Sequence, residues 1–268
     1  MINVRGTRVN GCAKHVKNAL THHLALVTIE PPGKHVMPTY DELLAEIFDG
    51  RNSALYFELE QWLRDSRRFK QFAATYRAKI RAKVKRARDD ASVNDLRAEL
   101  ETAALLLRAE SFTLEYEKYA ALKQRGPDYT VTFKTHTPFN VEVRRIRNLE
   151  LETPETETRI GKLMAVLCDK VEQMPPSIVN LLWLIGEREI SLNDIASAIR
   201  TLRELAELYP QEVNPPRGIQ NAADFLKQSH RLSGIVLRHA NALTIWQNPL
   251  AGHRIPTEIV NTLQRLTR

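Results

Sequence analysis

The chain has 268 residues, and its composition is that of a globular protein with enough apolar side chains for a substantial core. No apolar run is long enough to cross a bilayer, and Met1–Lys17 lacks the apolar stretch of a secretory signal. The two cysteines, Cys12 and Cys168, are too far apart in the sequence for a close-spaced metal motif. We therefore expect a protein of the reducing cytoplasm without a membrane segment.

The positive charge is concentrated in one segment, residues 61–90. This basic segment holds eleven basic and three acidic residues, whereas the formal net charge of the whole chain is +7. A local excess of this size favours a polyanion as partner, and we expect the segment to contact DNA. The alternative is a solvated helix surface. The residues expected to contact nucleic acid are Arg77, Lys79, Arg81, Lys83, Lys85 and Arg86.

The first ninety residues are predicted to be mostly helical. Leu24–Ile29 is typical of a strand, and Thr39 precedes a short capped helix. Apolar residues at helical spacing between positions 54 and 88 predict one or two further helices, with their aromatic side chains in a core rather than stacked on bases. We assign residues 1–90 to an N-terminal helical, basic region and residues 91–268 to an α/β domain.

A helix is predicted over residues 93–110, at the start of the α/β domain. Its apolar side chains, among them Leu96 and Leu100, lie on one face when each residue turns by about 100°. Glu99 falls roughly 60–80° from the centre of that stripe, and Glu101 roughly 120°. Glu99 therefore borders the buried face, while Glu101 points more toward water.

Two stretches with alternating polarity, residues 128–133 and 139–144, predict a β-hairpin. Apolar residues occupy the odd positions of both stretches, and polar residues occupy the even positions. Strand side chains alternate between faces, so apolar faces that share one core fix the register of the hairpin. Asp128 and Glu142 are then expected on one face of the sheet, with Arg144 beside Glu142.

The remaining elements alternate between helical and strand patterns. Lys170 borders the apolar stripe of the helix that follows the hairpin, and Ser191 is expected to cap a later helix. The predicted elements are a helix over 160–171, a strand over 180–185, a helix over 192–209, a hairpin over 232–246 and a helix over 257–266. Residues 112–117 also alternate in polarity and predict a strand before the hairpin, so the predicted order between residues 93 and 185 is helix, three strands, helix, strand.

This αβββαβ order resembles the PD-(D/E)xK restriction-endonuclease-like superfamily, in particular uncharacterised bacterial members. Pro127-Asp128 opens one strand, Glu142-Val143-Arg144 lies in the next, and the resemblance covers Asp95–Ile185. Lys170-Val171-Glu172-Gln173 is also similar to a Lys-x-x-Gln segment of some members. The resemblance implies an α/β fold with a mixed central sheet flanked by helices, and metal-dependent hydrolysis of DNA phosphodiesters.

The resemblance also implies a metal site. Asp128 and Glu142 correspond to the carboxylates that bind Mg²⁺ or Mn²⁺ in the family. Glu99 corresponds to a helix glutamate that assists them, and Glu101 is the second choice for that role. Carboxylate oxygens suit such a hard cation, which can offset the charge that builds on a phosphodiester during hydrolysis.

The chain departs from the family pattern at one catalytic position. Arg144 stands where the signature lysine is expected, and a guanidinium stays protonated, so it cannot act as a general base. Arg144 could still orient water or stabilise charge on phosphate. Lys170 from the following helix, or Lys134 from the hairpin turn, could supply an ammonium group instead.

Two functions remain open at this stage. One is a Mg²⁺-dependent endonuclease, and the other is a catalytically inactive nucleic-acid-binding or protein-interaction module on the same fold. Phosphate-binding-loop, dinucleotide-binding, zinc-protease and serine-hydrolase motifs are absent from the sequence. The sequence is compatible with a homo-oligomer but does not determine the oligomeric state.

Overall fold

The structure is a computed structural model, and it describes residues 37–122, 125–147, 155–186, 190–208, 222–239 and 242–267. The strand predicted at Leu24–Ile29 lies outside these residues. By its contacts the chain divides after residue 36, and Met37–Arg268 groups as one unit. The boundary predicted at residue 90 stays a prediction. Within the described residues, no helix has both the length and the apolar character that crossing a membrane requires.

Four helices precede the first strand of the described residues, and strands and helices then follow in mixed order, with a short 3₁₀ turn at Lys118–Leu122. The helices are α1 (Tyr40–Phe48), α2 (Tyr56–Asp65), α3 (Arg67–Arg86), α4 (Asp90–Leu106), α5 (Glu155–Gln173), α6 (Leu192–Leu208), α7 (Ala222–Ser229) and α8 (Thr257–Arg265). The strands are β1 (Phe112–Tyr116), β2 (Tyr129–Phe133), β3 (Thr137–Ile146), β4 (Val179–Gly186), β5 (Gly234–His239) and β6 (Ala242–Gln247).

The six strands form one mixed sheet in the order β1-β2-β3-β4-β5-β6. Strands β3, β4 and β5 are parallel to one another, and the other neighbours are antiparallel. Tyr129 pairs with Val141 and Val131 with Phe139, so the register predicted for the first hairpin is confirmed. The protein is therefore an α/β protein with a six-stranded sheet flanked by helices, as expected.

Local capping sets where α1 and α4 begin. Thr39 and Glu42 form the reciprocal hydrogen bonds of a capping box at α1. At α4 the carboxylate of Asp89 accepts from the amide of Ser92, and the Ser92 hydroxyl accepts from the amide of Asp89. Helix α4 consequently begins at Asp90, three residues before the predicted start.

Two apolar layers cover the sheet, one on each face. Val141, Leu181 and Trp183 pack with α1 to α4 and α8, and we call this side the α4 face. Leu182 and Leu184 pack with α5 and α6, and we call this side the α5 face. Because the parallel register places Glu142 beside Leu182, Glu142 belongs to the α5 face.

Candidate active site

Asp128 immediately precedes β2, at the position where the β2–β3 ladder ends. It forms hydrogen bonds to the chain segments on both sides of it. Its backbone oxygen accepts from the amide of Glu117 at 2.8 Å, which extends the pairing with β1. Its side-chain Oδ2 accepts from the backbone amide of Val143, also at 2.8 Å. The carboxylate therefore takes the place of a ladder carbonyl and is held between β2 and β3.

Gly126 allows the chain before Asp128 to approach the 3₁₀ turn closely. A Cβ on Gly126 would lie 2.5 Å from the Cβ of Tyr119, far inside van der Waals contact. The Tyr119 hydroxyl in turn accepts from the side-chain amide of Asn140 at 3.4 Å. The Gly-Pro-Asp stretch is thus shaped by the tyrosine of the 3₁₀ turn, a residue that the sequence analysis did not single out.

Glu142 forms a buried ion pair with Lys170 on the α5 face. Lys170 Nζ lies 2.7 Å from Glu142 Oε1, and the two side chains are only 12% and 9% exposed. Helix α5 connects β3 to the parallel strand β4, which carries Lys170 back across β3. Lys134, the other candidate ammonium, pairs instead with Glu258 of α8 at 3.0 Å. Of the two lysines, only Lys170 reaches Glu142.

Glu99 belongs to a second group of polar side chains. Its Oε2 lies 2.5 Å from Lys83 Nζ and accepts from the Tyr116 hydroxyl at 2.8 Å. Lys83 also pairs with Glu117 at 2.9 Å. The ring of Tyr116 stacks on Tyr129, which packs on the α4 face, so Glu99 and Glu142 approach the sheet from opposite faces.

The carboxylates nevertheless influence one another's protonation. Burial and then repulsion from Glu142 and Glu99 hold the pKa of Asp128 well above its usual range, although Lys83 opposes this. Burial also raises the pKa of Glu142, against the attraction of Lys170. For Lys83, the attraction of Glu99 and Asp128 outweighs burial and raises the pKa of the ammonium. The surroundings of Asp128 therefore favour its protonated form, and Lys83 offsets this effect only in part.

The donor set fits a small hard cation in part. Among the described residues, no three His, Cys, Asp or Glu side chains are placed to hold a metal ion together. Mg²⁺, however, commonly takes one or two carboxylates and completes its shell with water and substrate phosphate. Asp128 and Glu142 supply such carboxylates on adjacent strands, whereas Oε2 of Glu99 already binds Lys83 and Tyr116. Because Glu99 approaches the sheet from the opposite face, we assign Asp128 and Glu142 alone as the candidate ligands.

Arg144 and Glu101 have different surroundings. Arg144 shares the face of Glu142 by strand alternation, is exposed, and makes no hydrogen bond or ion pair with another described residue. Glu101, the second choice for the helix carboxylate, pairs with Arg238 of β5 at 2.5 Å. Among the described residues nothing therefore competes with a ligand for Arg144, while Glu101 is bound to β5, two strands away from β3.

Two of the six basic residues expected to contact nucleic acid point inward. Lys79 donates to the backbone oxygens of Tyr116 and Glu117, at 2.7 and 3.1 Å. Lys83 joins the carboxylates described above. Both side chains therefore link α3 to the end of β1.

The other four lie nearer to solvent. Arg77 pairs with Glu46 at 3.0 Å, and Lys85 pairs with Asp49 at 2.9 Å. Within the part of the chain that the structure describes, neither Arg81 nor Arg86 forms a hydrogen bond or an ion pair. These two arginines are the residues of the group that remain available to a polyanion.

A buried polar row crosses the α5 face next to Glu142. The Thr130 hydroxyl donates to the Asn140 side chain at 3.0 Å, and the Asn140 side chain donates to that of Asn180 at 2.9 Å. The Ser233 hydroxyl accepts from the backbone amide of Asn180 at 3.0 Å. All four residues are at most 2% exposed. The polar even positions of the hairpin were predicted, but their burial was not, because the alternation does not show which helices cover the strand.

Comparisons with known proteins found no matching family model, no matching curated protein and no matching solved structure. The function is therefore argued from the geometry of the site.

Proposed function

We propose that the protein hydrolyses phosphodiester bonds of DNA with Mg²⁺ or Mn²⁺ bound at Asp128 and Glu142. The observation that carries the proposal is the placement of Asp128 immediately before β2 and of Glu142 on β3, next to the Val141 that pairs with Tyr129, with buried Lys170 paired to Glu142. The raised pKa of Asp128 supports it, because a divalent cation would relieve the repulsion between the carboxylates. The succession α4, β1, β2, β3, α5, β4 agrees with a restriction-endonuclease-like core.

Each residue has a distinct part in the proposal. The Val143 amide orients the Asp128 carboxylate, and Lys170 orients Glu142. Arg144, two residues along β3 and exposed, contacts a phosphate oxygen through its guanidinium. Asp128 and Glu142 would hold the Mg²⁺, which would supply charge compensation at the phosphodiester and would make water more acidic there. Lys170 takes the place of the signature lysine as the ammonium group beside the carboxylates.

The DNA backbone is proposed to contact the outer surface of α3 at Arg81 and Arg86. Replacing both by alanine removes two phosphate contacts. The magnitude of the negative slope of log affinity against log salt concentration then falls by about two. Exposed Arg265 on α8 is the matched control, and its replacement by alanine leaves the slope unchanged. Equal slopes for the double variant and the wild-type protein would contradict this placement.

The nuclease proposal is tested by cleavage of plasmid and short duplex DNA, with Mg²⁺, with Mn²⁺ and with a chelator. We expect metal-dependent cleavage that Asp128→Asn and Glu142→Gln abolish. Glu115→Gln is the matched control, because Glu115 is half exposed and, among the described residues, pairs only with Lys118. Absence of cleavage on all substrates, or cleavage that persists in both site variants, would refute the proposal.

A catalytically inactive binding module on the same fold is the second candidate. Two observations favour it: Arg144 stands in the position of the signature lysine, and Glu99 is engaged by Lys83 and Tyr116. Such a module binds DNA in the presence of chelator, with the same affinity for wild type and Asp128→Asn. Binding that requires a divalent cation and is lost in Asp128→Asn would argue against it.

A further inference from the structure

An open cavity between the first three helices carries basic side chains that the candidate active site does not use. Its volume is about 430 Å³. The lining residues are Tyr40 of α1, Leu63 and Arg64 of α2, and Arg67 and Lys70 of α3. The Ser66 hydroxyl accepts from the amide of Phe69, so α3 begins at Arg67. Arg67 and Lys70 are three residues apart and therefore lie on one face of the first turn.

Two of the three cations in this cavity are uncompensated. Arg67 is exposed and Lys70 is half-buried, and neither side chain forms a hydrogen bond or an ion pair with another described residue. Asp65, the acidic residue nearest to them in the sequence, is exposed and forms no ion pair with any described residue either. An anion from solvent therefore meets two positive groups on the same side of the helix, with no carboxylate competing for them.

Arg64, the third cation, is held in place by two neighbours. Its guanidinium lies over the Tyr40 ring, 3.9 Å from the centroid, and donates to Glu60 Oε1 at 2.7 and 3.1 Å. The Arg64 side chain is still 48% exposed, so part of its surface is open to the cavity that it lines. A planar guanidinium held in this way is a platform on which an unpaired nucleic-acid base can stack.

The cavity lies at the end of α3 away from Asp128. Arg68, which lies between the two uncompensated cations in the sequence, donates to the backbone oxygen of Phe112, where β1 begins. Lys79, farther along α3, donates to the backbone oxygen of Glu117, just beyond the end of β1. The Glu117 amide in turn donates to the backbone oxygen of Asp128. The cavity is therefore separate from the candidate metal site, and a ligand bound there needs no metal ion.

We infer that this cavity binds one nucleotide of a single-stranded nucleic acid. Arg67 and Lys70 hold the phosphate through charge-assisted hydrogen bonds, and the unpaired base stacks on the guanidinium of Arg64. An open cavity suits a segment of a longer strand, whereas a small-molecule site encloses most of its ligand. A base within a duplex is already stacked between its neighbours, so this site goes beyond the backbone contacts proposed for Arg81 and Arg86.

The phosphate contact is tested by the fluorescence anisotropy of a short labelled thymidine oligonucleotide, titrated with the protein in the presence of a chelator. We expect Arg67→Ala/Lys70→Ala to bind about tenfold more weakly than the wild type at low salt. The magnitude of the negative slope of log affinity against log salt concentration should fall by about 0.7, the value for one phosphate of a single strand. Lys227→Ala/Arg265→Ala, which removes two exposed cations from α7 and α8, is the matched control and binds as the wild type.

The base contact is tested by Arg64→Lys. Lysine keeps the positive charge beside Glu60 but lacks the planar guanidinium. We therefore expect roughly tenfold weaker binding of the thymidine oligonucleotide, and unchanged binding of an abasic oligonucleotide of the same length. Circular dichroism of each variant checks that the fold is retained, which we expect because the three side chains lie at the surface.

The inference is overturned when Arg67→Ala/Lys70→Ala binds as tightly as the control double variant, or when the wild type binds no oligonucleotide. It is also overturned when Arg64→Lys weakens the thymidine and abasic oligonucleotides equally, or neither of them. A polyglutamate peptide that displaces the oligonucleotide at equal charge would show a general polyanion surface and reject the site. Because the chelator removes divalent ions, these outcomes do not depend on DNA cleavage, and the nuclease proposal can fail while this site is confirmed.

Discussion

The Asp128 carboxylate accepts a hydrogen bond from the backbone amide of Val143 at 2.8 Å, just beyond the last residue pair of the β2–β3 ladder. The bond places a charged group where a neutral carbonyl would continue the sheet. Because burial and the neighbouring carboxylates disfavour its charge, Asp128 is oriented for a ligand at some expense of stability.

Asp128→Asn is expected to stabilise the protein near pH 7 when no divalent cation is present. The pKa of Asp128 is raised in the folded protein, so folding favours its protonated form. The folded state is therefore favoured at low pH, and stability is lost as pH rises above about 4, the pKa of an unfolded aspartate. Asparagine keeps an acceptor for the Val143 amide and carries no charge, so the variant does not lose stability in this way as the pH rises. Urea unfolding across the pH range measures both effects.

Mn²⁺ is expected to raise the unfolding temperature of the wild type and to leave that of Asp128→Asn unchanged. A ligand that binds only the folded state stabilises it according to its affinity. Glu115→Gln, which changes an exposed carboxylate, should respond to Mn²⁺ like the wild type. An equal response in Asp128→Asn would place the ion elsewhere.

Lys170→Met is expected to destabilise the protein by about 3 kcal/mol, because it leaves the Glu142 carboxylate buried without its partner. The double variant Lys170→Met/Glu142→Gln should recover most of that loss, since the unpaired charge is then gone. Urea unfolding of the two single variants and the double variant gives the coupling energy. Additive losses would show that the two side chains do not stabilise each other.

Gly126→Ala is expected to lower the free energy of unfolding by about 1–3 kcal/mol, the usual range for overpacking. The new methyl group meets the Tyr119 side chain, so the backbone beside Asp128 must shift. Gly161→Ala in α5 is the matched control. A Cβ at Gly161 meets nothing within 4 Å, and alanine stabilises a helix interior by roughly 0.5–1 kcal/mol. Thermal unfolding of the two variants should therefore move in opposite directions.

Asp194→Asn is expected to destabilise the start of α6 by about 1 kcal/mol near neutral pH. Burial alone would raise the pKa of Asp194, but hydrogen bonds from Ser191 and Arg159 outweigh it and lower the pKa. A carboxyl with a lowered folded pKa stabilises the protein above about pH 4 and loses that contribution as pH falls through the folded value. The difference in the free energy of unfolding between Asp194→Asn and the wild type should thus become smaller as the pH falls.

A second, exposed aspartate provides the control for this pH dependence. Asp65 ends α2, and replacing it by asparagine should change stability by a few tenths of a kcal/mol at every pH. A difference between wild type and Asp194→Asn that stays constant from neutral pH into acid would contradict the assignment of the stabilising contact to the ionised carboxylate.

The sequence predicted much of the fold because local patterns determine it. Alternation predicted the hairpin register that pairs Tyr129 with Val141, and the apolar run at β4 predicted a buried strand. The second hairpin, β5 and β6, was also predicted from its apolar stretches. The start of α4 was misplaced because a reciprocal cap at Asp89 and Ser92 extends the helix by a turn beyond its apolar stripe.

The sequence by itself determined that Asp128 and Glu142 share a side of one hairpin, since side chains alternate along a strand. Only the tertiary structure decided which lysines pair with Glu142 and with the helix carboxylate Glu99. Lys170 arrives through the crossover helix, and Lys83 reaches Glu99 from α3 across a gap of sixteen residues in the sequence. Such contacts depend on how whole helices pack against the sheet, so no periodicity along the chain encodes them. The same holds for the basic segment, because its net charge does not indicate which of its lysines face inward.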